Sequence, residues 1–187
     1  MAYPDDLLAL AQEILDLHAA EPHQPSLRRA LSTAYHALFH LLIEDAVAGC
    51  QDPELRAALS RMFDHGRMLQ ASRDQTRELN GFLKRLKRGK EDTMKEHLLN
   101  VAATFAEAQD NRNEADYNLS REWQPKEVSL LILRVEGAFK SWSVVRSEKK
   151  ARDYLLSMLP ARKRKQPDRG RSSGPLPAGD PESDVGR

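Results

Sequence analysis

Apolar positions along the chain recur at intervals of three and four residues, and strand-type alternation of Val, Ile and aromatic residues is absent. Every periodic segment therefore reads as helix. The first begins after Pro4 and Asp5, with Leu7, Leu10, Ile14 and Leu17 on one face, and Pro22 and Pro25 break the chain behind it. The second, "PSLRRALSTAYHALFHLLIEDAVAG", carries a stripe of Leu27, Leu31, Ala34, Tyr35, Leu38, Leu42 and Ala46. Phe39, Leu41 and Ile43 widen that stripe, which predicts the most buried helix, with Gly49 as its C-cap. The third opens at "DPELRAAL", where Asp52 can cap and Pro53 suits the first turn; Leu55, Leu59 and Met62 follow, and Gly66 ends or bends it.

Residues 70–92 are polar and interrupted by Gly81 and Gly89, which predicts a long excursion with one short helix around Leu83. Thr93 and Glu96 then form a capping box, "TMKE", opening a fourth helix that runs to about Tyr117. A fifth starts at Pro125, carries Val128, Leu131, Val135, Phe139 and Trp142, and continues past Lys150, where Tyr154, Leu155 and Met158 resume an apolar face. The expected architecture is an all-α bundle of four or five helices, forming one domain over residues 1–159. Residues 160–187 read as a separate tail: from Ala161 onward Pro, Gly, Ser and charge dominate, too little to bury for an ordered structure. Its "RKRK" reads as a solvated charge run or as a contact for an acidic partner.

Charge narrows the function classes. Of the 187 residues 29 are Lys or Arg and 28 are Asp or Glu, so the chain does not coat nucleic acid by bulk charge, although a local basic groove is compatible with that balance. Cys50 is the sole cysteine, which excludes an intrachain disulfide and a Cys-rich zinc site. The N-terminal stretch has acidic residues early and no basic region before an apolar core, so it does not read as a signal peptide. No apolar run approaches the roughly 20 residues of a membrane span, and the expected location is the cytoplasm. Phosphate-cradling Gly-rich loops, nucleophile elbows and dinucleotide fingerprints are missing from the sequence, which calls for no cofactor. Aromatic residues are 6% and are not interleaved with a basic stripe, so stacking platforms for single strands are not indicated.

Two polar sets interrupt the apolar pattern. On the fourth helix Met94, Leu98, Val101, Phe105 and Ala108 step by four and three, and the next seats in that register are Arg112 and Asp116. A guanidinium keeps its proton, so an inward Arg112 needs a partner. Asp116 is the local one, either as a structural ion pair near the helix end or as part of a functional pocket. On the second helix Arg29, Thr33, His36 and His40 step along the side away from the leucine stripe. His36 and His40 have the spacing of two metal ligands, with His65 or Asp64 of "FDHG" as further donors; lacking the intervening Glu of the zincin pattern, they read first as hydrogen-bonding residues, and no metal is assigned.

Two stretches together carry a resemblance. "SLRRALSTAYHALFHLLIEDA" is similar to the second-helix signature of HEPN-domain proteins, and "RNEADYNLS" resembles the Arg-x-x-Ala-Asp-Tyr stretch of one prokaryotic branch of that superfamily. Their order, their separation and the helical plan also fit, over roughly residues 5–150. The resemblance implies a helical bundle, commonly homodimeric, acting on RNA or nucleotide phosphates. Many such domains are metal-independent endoribonucleases of toxin–antitoxin and other defence systems. Others are non-catalytic partners, antitoxins or accessory subunits, often of a nucleotidyltransferase. Carried over by position, Arg112 matches the motif arginine and Asn113 the polar residue after it, with Asp116 and Tyr117 where the motif histidine would lie. No histidine follows His97, so His36, His40 and Arg29 of the second helix are the supporting candidates. A structural homodimer without a catalytic site is the remaining alternative.

Overall fold

The computed structural model describes residues 2–17, 21–83 and 90–160. Among them are seven helices and no strand: α1 (Tyr3–Asp16), α2 (Gln24–Val47), α3 (Pro53–Ser60), α4 (His65–Leu83), α5 (Lys90–Tyr117), α6 (Pro125–Val145) and α7 (Lys149–Ser157). The all-α expectation therefore holds, with more helices than the four or five expected. The tail from Ala161, and with it "RKRK", lies outside the described residues, as does Gly89. No described helix is long and apolar enough to cross a membrane.

The centre of the bundle is α2, which packs against α1, α5 and α6. Leu31, Ala34, Tyr35, Leu38 and Leu42 have no exposed surface, and Ala30 and Ala37, on flanking faces, are equally buried. A helix enclosed on several sides needs apolar residues around most of its circumference, and the widened stripe supplied them. Its C-cap is Ala48 in an ordinary helical conformation, and no described glycine has a positive φ, so Gly49 does not cap by a left-handed turn. On α3, Asp52 does cap: its Oδ1 accepts from the backbone N–H of Glu54 at 2.8 Å and of Leu55 at 3.2 Å. This two-turn helix buries none of its residues, and Leu55 and Met62 remain exposed rather than forming a core stripe.

Four further local expectations are corrected. On α1 the inward row is Pro4, Leu8, Ala11 and Leu15, while Leu10 and Leu17 point outward. Residues 65–83 form a helix, so the excursion expected over residues 70–92 is helical up to Leu83, and Gly66 lies in the first turn of α4 instead of ending α3. The buried side of α4 is Met68, Ala71, Ser72 and Leu79, with small and polar members that no apolar count detects. Buried Ser72 is satisfied twice, by Met68 O at 2.7 Å and by the Tyr154 hydroxyl at 2.7 Å. Because α5 already starts at Lys90, Thr93 and Glu96 lie inside a helix and do not form its capping box.

The fourth correction concerns α6, which stops at Val145 instead of running on. On one continuous helix Val145 and Ala151, six residues apart, would point about 120° apart. Both are buried, at 1% and 0% exposed, so the chain breaks between them and α7 folds back to seat Tyr154, Leu155 and Met158 in the core.

Candidate functional site

The apolar stripe of α5 runs inward as its register requires: Leu98, Val101, Phe105 and Ala108 are all buried. Arg112 takes the next inward seat, with 19% of its side chain exposed. Its Nε lies 2.7 Å from Asp116 Oδ2, one turn on. Nε nevertheless has no aligned hydrogen-bond partner, so the pair is held by charge and the N–H remains undirected. Nη1 donates to Asn113 Oδ1 at 3.2 Å, and the exposed Tyr117 ring lies with its centroid 5.7 Å from Cζ. One turn before Arg112, buried Gln109 leaves its Oε1 unpartnered. The four α5 candidates thus share one end of the helix.

The face that Arg112 looks toward is built from α2 and the first residue of α4. Tyr35, His36, Phe39 and His65 form a ring cluster: His36 and His65 have centroids 6.0 Å apart, and His65 stacks on Phe39 at 4.5 Å. His40 adjoins His36 at 6.4 Å and meets the Tyr3 ring of α1 edge-on at 5.1 Å. His36 donates through Nδ1 to Ser32 O at 2.7 Å, and the Tyr35 hydroxyl lies 2.5 Å from His65 Nδ1. Arg29 is exposed on the same side of α2, within electrostatic reach of His36.

Proton affinities follow from this packing. Burial lowers the pKa of all three histidines. For His36 the Ser32 carbonyl opposes that shift, Arg112 and Arg29 add to it, and Asp116 works against them. For His65 the charge of Arg112 is the second cause, with His36 and His40 in the same direction and Asp64 opposed. His36 alone acts on His40 in this way. Tyr35 is pushed up by burial, Arg112 pulling the other way, so its phenol keeps its proton. The result is three histidines that favour the neutral ring, two of which, His36 and His65, lie within reach of the Arg112 charge.

Among the described residues no group of three or more His, Cys, Asp or Glu side chains is placed to hold a metal, so His36, His40 and His65 do not converge as ligands. A cleft of about 560 Å³ between α4 and α7 lies elsewhere; Asp64, Asp74 and Glu78 outnumber Arg67 in its lining and disfavour an anion.

Two further residues support the site and carried no sequence signal. Arg28 donates to the carbonyls of Ala115 (2.6 Å), Asn118 (3.1 Å), Leu119 (3.4 Å) and Arg121 (2.5 Å), holding the chain just after Arg112. Gln24 pairs with both backbone groups of Trp123, donating at 2.8 Å and accepting at 2.9 Å. Tyr35 and His65 join the cluster with no local signal for it: His65, which the sequence offers only as a further metal donor, comes from α4, whose start the pattern does not reveal, and Tyr35 reads as plain core. The chain matches no family model, no curated protein and no solved structure.

Proposed function

We propose that the chain binds RNA through its phosphates on the face formed by α2 and the end of α5, as a HEPN-like homodimer of the toxin–antitoxin or defence type. The observation that carries this reading is Arg112. It is half-sequestered, tied to Asp116 by charge alone, and still holds a buried N–H without an aligned acceptor. A phosphate can replace Asp116 as its partner and engage the planar donor edge bidentately. Neutral histidines alongside add hydrogen-bonding groups without filling the site with positive charge.

A second copy fits the outward row of α1. Tyr3, Leu10 and Leu17 are exposed there at 56%, 43% and 75%. With half-buried Leu7 and with Ile14, which also packs against the core, they repeat at the four–three spacing of a helix–helix seam. The apolar face of α2 is already used inside the chain. Because Tyr3 touches His40, a dimer built on this seam brings two copies of the histidine face close together. Light scattering at micromolar concentration is expected to give twice the chain mass, falling to one with Leu10→Asp; a wild-type monomer refutes the seam.

The test of the site is anisotropy of a labelled single-stranded RNA at fixed salt, with Arg112→Ala and Arg112→Lys, together with urea unfolding of each. A partly exposed pair costs about 1 kcal/mol or less to remove, whereas a buried structural pair costs about 3–5 kcal/mol. Near-native stability with RNA affinity down at least tenfold in both variants is expected. Wild-type RNA affinity with early unfolding of the alanine protein makes Arg112 scaffolding and overturns the reading. One observation favours a non-catalytic role beside a nucleotidyltransferase: Tyr117, exposed at 75% beside Arg112, and Leu119, exposed at 83% just past the end of α5, offer apolar surface to a protein.

A further inference from the structure

We propose that a cavity between α5 and the α6–α7 junction binds a small amphipathic monoanion, a carboxylate on a short acyl chain, with Lys95 as its charged anchor. The site is separate from the Arg112 face and stands or falls without the RNA reading.

The cavity follows from the break between α6 and α7. Val145 and Ala151 both turn inward there, and with α5 they line a space of about 280 Å³. That is just under the roughly 300–1,000 Å³ of most small-molecule sites, so the occupant is small. The apolar part of the lining is Met94 and Leu98, one turn apart on α5, together with Val145 and Ala151. Leu98, Val145 and Ala151 are at most 2% exposed, so the core fixes this surface. Water gains little from such walls, and a hydrocarbon chain that replaces it is favoured.

The rest of the lining is charged. Lys95, Lys149 and Lys150 stand there against one carboxylate, Glu148. Lys149 donates to Asp153 at 2.6 Å, which matches its charge from outside the cavity. Lys95 and Lys150 against Glu148 then leave the lining positive by a single charge, the complement of a monoanion. The first turn of α7 adds the positive end of a helix dipole, since its N-cap Glu148 makes no side-chain cap bond.

Lys95 is the residue that makes this a built site. It is only 3% exposed, on a wall that is otherwise apolar. Its Nζ lies 3.3 Å from the centroid of the Phe82 ring, near the end of α4, and Lys150 Nζ approaches the same ring at 5.5 Å. An aromatic face holds a cation in place without neutralising it. The ammonium is therefore positioned before a ligand arrives, and a carboxylate that reaches it makes a charge-assisted bond in a partly dehydrated setting. A cationic ligand is repelled by the same lysines, and a neutral chain leaves them unused.

Calorimetric titration of the full-length protein with butanoate, hexanoate, octanoate and 1-octanol tests the site. Affinity is expected to rise with chain length by up to about fourfold per methylene, and octanoate to bind at least about tenfold more tightly than 1-octanol. Lys95→Met keeps the stem and removes the charge. It is expected to lose about tenfold or more for octanoate and nothing for 1-octanol. Met94→Trp fills the cavity without touching a charge and is expected to abolish binding of both. Leu10→Asp, which alters the exposed row of α1, is expected to bind octanoate as wild type does. Urea midpoints show whether Lys95→Met and Met94→Trp keep the fold. Lys150→Met, a change at an exposed residue, tests the charge independently, with a loss of about two- to threefold. No heat from octanoate up to ~5 mM overturns the site. So does octanoate binding that survives Met94→Trp or is lost with Leu10→Asp. Equal affinity for octanoate and 1-octanol, or wild-type octanoate affinity in both lysine variants, overturns the anion.

Discussion

Replacing Arg28 by Ala is expected to cost about 3 kcal/mol, more than most single changes outside the core. Its guanidinium serves four carbonyls between Ala115 and Arg121. Two of these bonds, to Ala115 O at 2.6 Å and Arg121 O at 2.5 Å, are short and partly buried. A hydrogen bond from a charged donor contributes about 1.5–3 kcal/mol. The two longer, exposed bonds add little, because water can take over those carbonyls. The cation also lies at the C-terminal end of α5, where the helix dipole favours it by a further 0.3–1 kcal/mol or so. Solvent reaching the freed carbonyls offsets part of the sum, which leaves about 3 kcal/mol. For a chain of this size that corresponds to about 6–12 °C in melting temperature. Urea unfolding with an unchanged m-value reads the effect directly. Arg28→Lys separates charge from shape: one ammonium cannot bridge carbonyls on both sides of the turn, so less than half of the stabilisation remains. An Ala protein within about 0.5 kcal/mol of wild type, or a Lys protein equal to wild type, refutes the fork as the cause.

Two other outcomes follow from groups already described. Ser72→Ala strands the buried Tyr154 hydroxyl and is expected to cost about 1–3 kcal/mol, with Tyr154→Phe in the same chain costing little more; fully additive losses in urea refute the shared bond. Acidification destabilises the fold through His36, His40 and His65, whose folded pKa values are lowered, so between those values and about 6.5 the unfolded chain binds more protons. Melting temperature is expected to be level above about pH 7.5 and to fall below about 6.5; a rise on acidification contradicts the neutral cluster.

Legibility in the sequence followed side-chain size and local spacing. The α5 stripe was readable because Leu98, Val101, Phe105 and Ala108 are apolar and in phase, and the inward seat of Arg112 followed from them. The Asp52 cap was readable because its partners are two and three residues away. By contrast α4 was hidden, since a helix that packs with Ala71 and Ser72 shows no apolar period. The α6–α7 break was present as a phase slip between Val145 and Ala151, with no Gly or Pro to advertise it. On α1 two leucine rows compete, and only packing against α2 decides which turns inward. Along the candidate site the same division holds. Arg112, Asn113, Asp116 and Tyr117 share one helix end and were found together. His65 and Tyr35 are 30 residues apart and meet only through the fold, as Arg28 meets the α5–α6 connection across 87 to 93 residues.

That long reach sets an order of events during synthesis. Arg28 and Gln24 leave the ribosome early, but the carbonyls and amide they hold are 87 to 99 residues downstream. At roughly 5–20 residues per second, about 4–20 s pass before those partners exist. The connection between α5 and α6 therefore takes its native path only after α2 has met both helices, and closing so long a loop makes this a late step. Arg112 and Asp116 stand immediately before that connection, so the end of α5 is among the last parts of the chain to become rigid, and the Arg112–Asp116 pair takes its final setting only then.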